Sequence, residues 1–279
     1  MKRVIFAIAA VAALASCAKE APVASKLPSQ YSDEISFLVE NDLGVSVETK
    51  ASAVESLSTF NVLAEDTGNS EQVWSLATTK SGSNYNTGKY WPSVDGMYAF
   101  YASNIGLAYN AAGTTVSPVD NGTDVVVAYS AYRAGNYKKV IPLTFNHIYA
   151  RIGEVEINAP ESYNLEVKSV STNIVKSGTY DVKNSAWTSK GSEHAQNLAV
   201  GSNDVYAVPG DIVVSVTYVL EKGDFSKEFT KSGTIFLTQG KVNNITASPS
   251  LSSDEGASDI VFTVSLTPWG TEDHSITLN

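Results

Sequence analysis

The feature that most constrains this chain is alternation: its apolar residues recur at every second position, not at every third or fourth. Ile260, Phe262, Val264 and Leu266 alternate with Val261, Thr263, Ser265 and Thr267. Val214, Val216, Tyr218 and Leu220 share one face, with Ser215 and Thr217 on the other, and Ile35, Phe37 and Val39 alternate with Ser36 and Leu38. Side chains of an extended chain point to opposite faces in turn, so this period fits strands with a buried face. Turn dipeptides cut the runs into short pieces: Asp95-Gly96, Asn121-Gly122, Pro209-Gly210, Gly223-Asp224 and Gln239-Gly240. A long amphipathic helix is missing from the pattern; residues 51–64 and 193–200 each have room for a short one. The expected class is all-β, with short strands paired face to face as sandwiches so that each apolar side is covered.

Two stretches of unequal texture follow one another. Residues 33–138 are rich in Asn, Gly, Ser and Tyr and carry long loops, whereas from Lys139 the strands are longer and more regular. This predicts an N-terminal sandwich over 33–138 and a C-terminal one over 139–279, each of ordinary domain size.

The first residues read differently. Lys2-Arg3 is a short basic start, and Val4 to Ala15 is an unbroken apolar run of 12 residues. A bilayer-spanning helix needs roughly 20 apolar residues, so the run reads as the core of an export signal. It ends in Leu14-Ala15-Ser16-Cys17, which resembles a bacterial lipobox. The expectation is a signal peptide over 1–16, cleavage between Ser16 and Cys17, and acylation of Cys17. The Ala-, Ser- and Pro-rich residues 17–32 then form a flexible tether to outer-membrane lipid. Lys19-Glu20 resembles the short charged export signals of surface lipoproteins, which places the expected location on the outer face of the outer membrane. Cys17 is the single cysteine, so no intrachain disulfide and no cysteine-rich zinc site is available.

Charge and motif content narrow the function. Lys plus Arg total 19 and Asp plus Glu 29, a net charge of −10, opposite to what a nucleic-acid surface requires. His147, His194 and His274 lie far apart and fall in no metal-ligand spacing. His147, inside a strand-like run, reads as a satisfied structural histidine. There is no nucleophile elbow, phosphate loop or dinucleotide fingerprint. Asp120-Asn121-Gly122-Thr123-Asp124 has calcium-loop residue types but lacks the closing Glu, and reads as a turn. No catalytic, cofactor-binding or metal-binding residues are assigned, and the chain is expected not to be an enzyme. The aromatic segment Tyr90-Trp91-Pro92 to Tyr98-Ala99-Phe100-Tyr101 has two readings: a core strand with Trp91 at its turn, or an exposed sugar-stacking platform.

Read together, several segments resemble the fimbrillin (Mfa-like) family. They are Tyr90-Trp91-Pro92 with Tyr98 to Tyr101, Leu143 to Ile152 around His147, and Val170 to Trp187 with its Gly-Thr-Tyr-Asp hairpin. Val208-Pro209, Gln239 to Ile245 and Val264 to Trp269 complete the series in order. The resemblance implies two tandem transthyretin-like β-sandwich domains behind a lipoprotein signal peptide and short tether. It also implies a cell-surface pilus subunit, structural or adhesive, assembled when a trypsin-like protease removes the first strand and a neighbour's strand replaces it. On that pattern Ile35, Phe37 and Val39 form the first strand, and Lys50-Ala51 is the maturation cleavage site, with Lys where the family usually has Arg. Ile260, Phe262, Val264 and Leu266 form the donor strand. The implied partners are other pilin subunits in a homo- or hetero-polymer, together with a host or glycan ligand. The alternative from a different class is a surface glycan-binding lipoprotein for polysaccharide capture, which would require Trp91 and the nearby Tyr side chains to be exposed in a row.

Overall fold

The structure, a computed structural model, describes residues 34–40, 57–93, 95–120, 122–133, 140–251 and 258–269. Among these the regular structure is entirely β. The first part of the chain contributes β1 (Glu34–Val39), β2 (Thr59–Asp66), β3 (Glu71–Ser81), β4 (Asn84–Tyr90) and β5 (Met97–Ser103). It continues with β6 (Leu107–Asn110), β7 (Gly113–Val116), β8 (Val126–Arg133), β9 (Ile141–Leu143) and β10 (Asn146–His147). Then come β11 (Ala150–Ile157), β12 (Asn164–Val175), β13 (Gly178–Asp181), β14 (Ala186–Lys190) and β15 (Glu193–Leu198). The last five are β16 (Gly201–Ala207), β17 (Gly210–Lys222), β18 (Phe225–Leu237), β19 (Lys241–Leu251) and β20 (Ser258–Pro268).

Eight strands make one sheet in the order β10-β8-β5-β2-β3-β4-β1-β9. It does not lie flat. The Phe37 ring on β1 sits 5.3 Å from Phe100 on β5 and 6.2 Å from Phe60 on β2, neither of them its neighbour in the sheet. The β4-β1-β9 end therefore folds over the β2-β5-β8 end and encloses a core of Ile35, Phe37, Phe60, Val62, Phe100 and Leu143. Eight of the ten strands from 150 to 268 make two four-stranded sheets, β16-β11-β19-β20 and β15-β12-β17-β18. Between them lies a second core with Ile152, Val214, Val216, Tyr218, Leu220 and Ile245. The alternation read from 214–220 and 260–264 corresponds to β17 and β20, whose inward positions face this core. The expected boundary at 138/139 lies outside the described residues; sheet membership changes between His147 and Ala150.

A fourth sheet, β14-β13-β7-β6, draws two strands from 107–116 and two from 178–190. Tyr180 pairs with Val116 and Asp181 with Thr115, so backbone hydrogen bonding crosses from one half of the chain to the other. A third core fills the junction: Leu63, Ala99, Tyr101 and Val127 from the eight-stranded sheet against Tyr149, Tyr180, Tyr206 and Val208. This explains β5, where six of the seven residues are buried. Tyr98, Phe100 and Ala102 face the first core, while Ala99 and Tyr101 face the third.

Neither expected short helix forms among the described residues. Residues 59–66 are strand, with Phe60, Val62 and Ala64 in one core and Leu63 in another. Burial on both faces erases alternation, and a short apolar run cannot be told from a helix by period. Residues 193–198 form an edge strand with mostly exposed side chains, and only the ladder to β12, from Val170↔Leu198 to Val175↔Glu193, makes it β.

Two predictions follow from these cores. Phe100 is fully buried and its ring meets those of Phe37, Trp74 and Trp91. Phe100→Ala is expected to lower the unfolding free energy by about 3–5 kcal/mol in urea denaturation. Burial also holds the phenols of Tyr101, Tyr149 and Tyr206 above their ordinary value of 10.0. Carboxylates push the same way: Glu65, which accepts the Tyr101 hydroxyl proton in a hydrogen bond, Asp120 and Asp124 near Tyr149, and Asp204 near Tyr206. Because the unfolded chain releases these protons first, their stabilisation is complete below pH 10.0 and is lost as pH rises further. Exposed tyrosines such as Tyr90 ionise without unfolding, whereas the tyrosinate absorbance of these three is expected to appear only together with it.

Candidate strand-exchange site

Strand β1 occupies an internal slot held by few bonds. It runs antiparallel to β4, with Glu34↔Tyr90, Ser36↔Asn86 and Phe37↔Tyr85 in register and an irregularity between Glu34 and Ser36. On its other side it runs parallel to β9 over three pairs, Phe37↔Ile141, Leu38↔Pro142 and Val39↔Leu143. Parallel pairing is the weaker kind, and Pro142 brings no N–H to it. By contrast, β17 and β18 pair in continuous register from Gly210↔Leu237 to Lys222↔Phe225. Side-chain bonds supplement the short ladders: Thr87 Oγ1 donates to the Ile35 carbonyl at 2.5 Å, and the Gly88 N–H donates to the Glu34 carboxylate at 2.5 Å.

What retains β1 is burial. Ile35 is 2% exposed and Phe37 0%, with Val39 packed alongside. A side chain of this kind contributes roughly 1.5–3 kcal/mol on full burial, so two of them dominate the strand's attachment. If β1 left, Phe60, Phe100, Tyr85, Ile141 and Leu143 would lose their cover, and β4 and β9 would each expose an edge. The segment connecting β1 to β2 includes residues 41–56, so Lys50 and Ala51 lie outside the described residues, as do Ser16 and Cys17.

The second candidate strand, β20, is an edge strand. It pairs with β19 alone, from Lys241↔Pro268 to Leu251↔Ser258. Ile260, Phe262 and Val264 face its own core but are only partly buried, and Leu266 is 48% exposed. The Phe262 ring lies over Gly233 of β18, where a Cβ would come within 2.3 Å of it. The Ser258 and Tyr218 hydroxyls are 2.6 Å apart and anchor the start of the strand.

The remaining candidates resolve into structure. Trp91 is 4% exposed, and Tyr98, Phe100 and Tyr101 are buried with it, so this segment is core and forms no stacking platform. His147 Nδ1 lies 2.6 Å from Asp124 Oδ2, with both side chains buried. Its ring stacks on Trp269 at 4.3 Å, and Trp269 in turn stacks on Tyr206. Asp124 thus serves the junction between the two halves. No group of three His, Cys, Asp or Glu side chains able to hold a metal occurs among the described residues. His194 is exposed on β15, and His274 lies outside the described residues. A cleft of about 730 Å³ opens at the same junction, with Tyr129, His147, Tyr180, Lys183, Gln239 and Trp269 on its walls. Sequence reasoning did not find it, because its walls come from five separated segments.

A family model described as fimbrillin-like matches residues 40–269, most of the chain. The chain belongs to the fimbrillin-like family. The match takes in both candidate strands' surroundings: β4 and β9, which flank the slot, and β20 to its end. No curated protein matches. Solved structures share the fold at low identity. A protein from Parabacteroides distasonis ATCC 8503, provisionally assigned to cell adhesion, is similar at 11% identity and a TM-score of 0.52, with 86% of this chain and 98% of that one covered. A protein of the same provisional assignment from Bacteroides eggerthii DSM 20697 is similar at 11% identity and a TM-score of 0.50, covering 85% and 96%. This fimbrillin-like chain therefore spans nearly the whole length of those folds.

The seat of β20 can be probed directly. Gly233→Ala is expected to push Phe262 off its core and cost about 1–3 kcal/mol. Hydrogen exchange should then quicken in the β19–β20 amides more than in those of β17.

Proposed function

We propose that this fimbrillin-like protein is a cell-surface lipoprotein, held in the outer membrane through acylated Cys17, that works as a structural or adhesive pilus subunit. Its assembly is by strand exchange: cleavage between Lys50 and Ala51 separates β1 from the rest of the chain, β1 departs, and a strand from another subunit fills the slot. The observation that carries this reading is the kind of slot β1 occupies. It is internal to the sheet and deeply apolar, yet its ladders are short, so burial and covalent connection do most of the holding.

Cleavage matters because of that balance. While the chain is intact, a β1 that detaches remains at high local concentration and returns to its slot. After a cut at Lys50 it departs as a separate, lipid-anchored segment, leaving two open edges and an uncovered core ready for strand addition. The acidic charge, −10 over the full sequence and −12 once residues 1–16 with Lys2 and Arg3 are removed, suits an exported subunit and calls for no nucleic acid. Family membership and the cell-adhesion assignments of the structural relatives support a surface role.

The test is limited digestion of the purified protein with a trypsin-like protease, followed by N-terminal sequencing and electron microscopy. A new N-terminus at Ala51 accompanied by SDS-resistant polymers is the expected result. Cleavage at Lys50 that leaves only intact monomers overturns strand exchange. For the anchor, Cys17→Ser is expected to abolish palmitate labelling and release the protein from membranes.

A further inference from the structure

The junction cleft of about 730 Å³ plays no part in strand exchange. Its volume is in the range that takes up a small organic ligand. The aliphatic and phenyl groups on its walls, Val127, Ala128, Phe145 and Val182, are themselves buried. What a ligand meets is the more exposed set: Tyr129, Asn146, Lys183, Ser185, Gln239 and Lys241.

These side chains offer three kinds of contact. The Tyr129 ring is 38% exposed and rests against the buried Tyr101 ring, centroids 5.1 Å apart, so it presents a fixed apolar plate. Asn146, Ser185 and Gln239 carry amide and hydroxyl groups. Lys183 and Lys241 carry positive charge, and neither forms an ion pair or a side-chain hydrogen bond among the described residues. The chain has 29 Asp and Glu against 19 Lys and Arg, yet no described acidic residue lines the cleft. Asp181, two positions from Lys183, is buried and spent on Asn184, accepting from its N–H at 2.9 Å and from its Nδ2 at 2.8 Å. Two ammonium groups therefore share one cleft with no counter-charge on its walls.

The walls are also fixed in advance. The Asp181–Asn184 bonds close the turn between β13 and β14, where Ser185 takes the left-handed conformation at φ 52°, uncommon for a residue with a Cβ. Gln239 Nε2 donates to the Tyr180 hydroxyl at 2.9 Å, and the Gly240 N–H donates to the Tyr149 carbonyl at 2.8 Å. Those two bonds tie the turn before Lys241 to the junction core. A site held in shape loses less freedom when it binds.

We infer that the junction cleft binds a saccharide bearing a carboxylate, a uronic or sialic acid unit. Lys183 and Lys241 hold the carboxylate, Tyr129 takes the C–H face of a sugar ring, and Asn146, Ser185 and Gln239 meet its hydroxyls. A fatty ligand would need an open apolar lining, which this cleft keeps buried; a neutral sugar would leave both ammonium groups unused. Exposed ion pairs are individually weak, so a single cleft binds loosely, and a fibre that repeats it at every subunit gains by avidity. This gives the adhesive side of the reading above a place and a ligand class. It stands apart from strand exchange, because the cleft is formed in the uncleaved chain.

The test is isothermal titration calorimetry on the uncleaved full chain with Cys17→Ser, which removes the acylation site. The probes are hyaluronan tetrasaccharide and sialyllactose, with N-acetylchitotetraose and lactose as their uncharged counterparts. Saturable binding of one acidic probe is expected, about tenfold or more tighter than its counterpart and weakened by added salt; which probe binds tells uronate from sialate. Lys183→Gln, Lys241→Gln and Tyr129→Ala are each expected to weaken binding by about tenfold. Lys80→Gln, an exposed lysine of β3 that is not on the walls, is expected to leave it unchanged. An unaltered melting temperature in the lysine variants shows that the fold is kept. Equal binding of acidic and neutral probes overturns the proposal, as does binding that survives both lysine substitutions together or no saturable binding of either acidic probe. Each of those results leaves strand exchange standing, since that reading is tested by polymers formed after cleavage.

Discussion

A β-sheet cannot leave an apolar face in water, and β5 has two. Its residues alternate into different cores, Tyr98 and Phe100 toward the folded-over end of its own sheet and Ala99 and Tyr101 toward the C-terminal half. Both must be covered, and the rest of the architecture supplies the covers. On one side the β4-β1-β9 end rolls across; on the other, the bridging sheet and the Tyr149, Tyr180 and Tyr206 cluster close the junction. The two covers differ in how firmly they are tied. The junction is locked by backbone pairing between β7 and β13 and by His147, which is held by buried Asp124 and stacks on Trp269. The rolled end includes β1, whose neighbours hold it through a few register pairs.

That asymmetry connects structure to the proposed assembly. A subunit that must give up one strand and keep its shape needs the loss confined to one side of one core. With β1 gone, β2, β5 and β8 would remain paired to one another and packed on the junction core. On that proposal the residues uncovered would include Phe60, Tyr85 and Phe100, which pack together in the same core. A surface of this kind gives an incoming strand pockets at alternate positions, and backbone edges on both sides give it hydrogen bonds. The surface otherwise needed for sugar stacking is absent from the Trp91 segment, since Trp91 and Tyr98 are spent on the same core.

How much of this could be read from residues depended on how many faces each strand buries. Strands with one buried face, such as β17 and β20, announce themselves by alternation, and both were legible. β2 buries both faces, which made residues 59–64 resemble a short helix; β15 buries almost nothing, and its polar sequence carried no period. The candidate first strand was legible from Ile35, Phe37 and Val39, but its thin attachment was not, because the partners Tyr85, Asn86 and Ile141 lie about 50 to 100 positions away in sequence.

The sequence by itself determined the all-β class, the apolar face of each half-buried strand and the order of family landmarks, because strand period and turn chemistry are local properties. Only the tertiary structure decided that Trp91 is core, that His147 is spent on Asp124, and that four short strands stitch the halves into one body. It alone placed β1 between an antiparallel and a parallel neighbour, which fixes the direction any replacement must run. Direction and neighbours are relations between distant segments, and no window along the chain contains them.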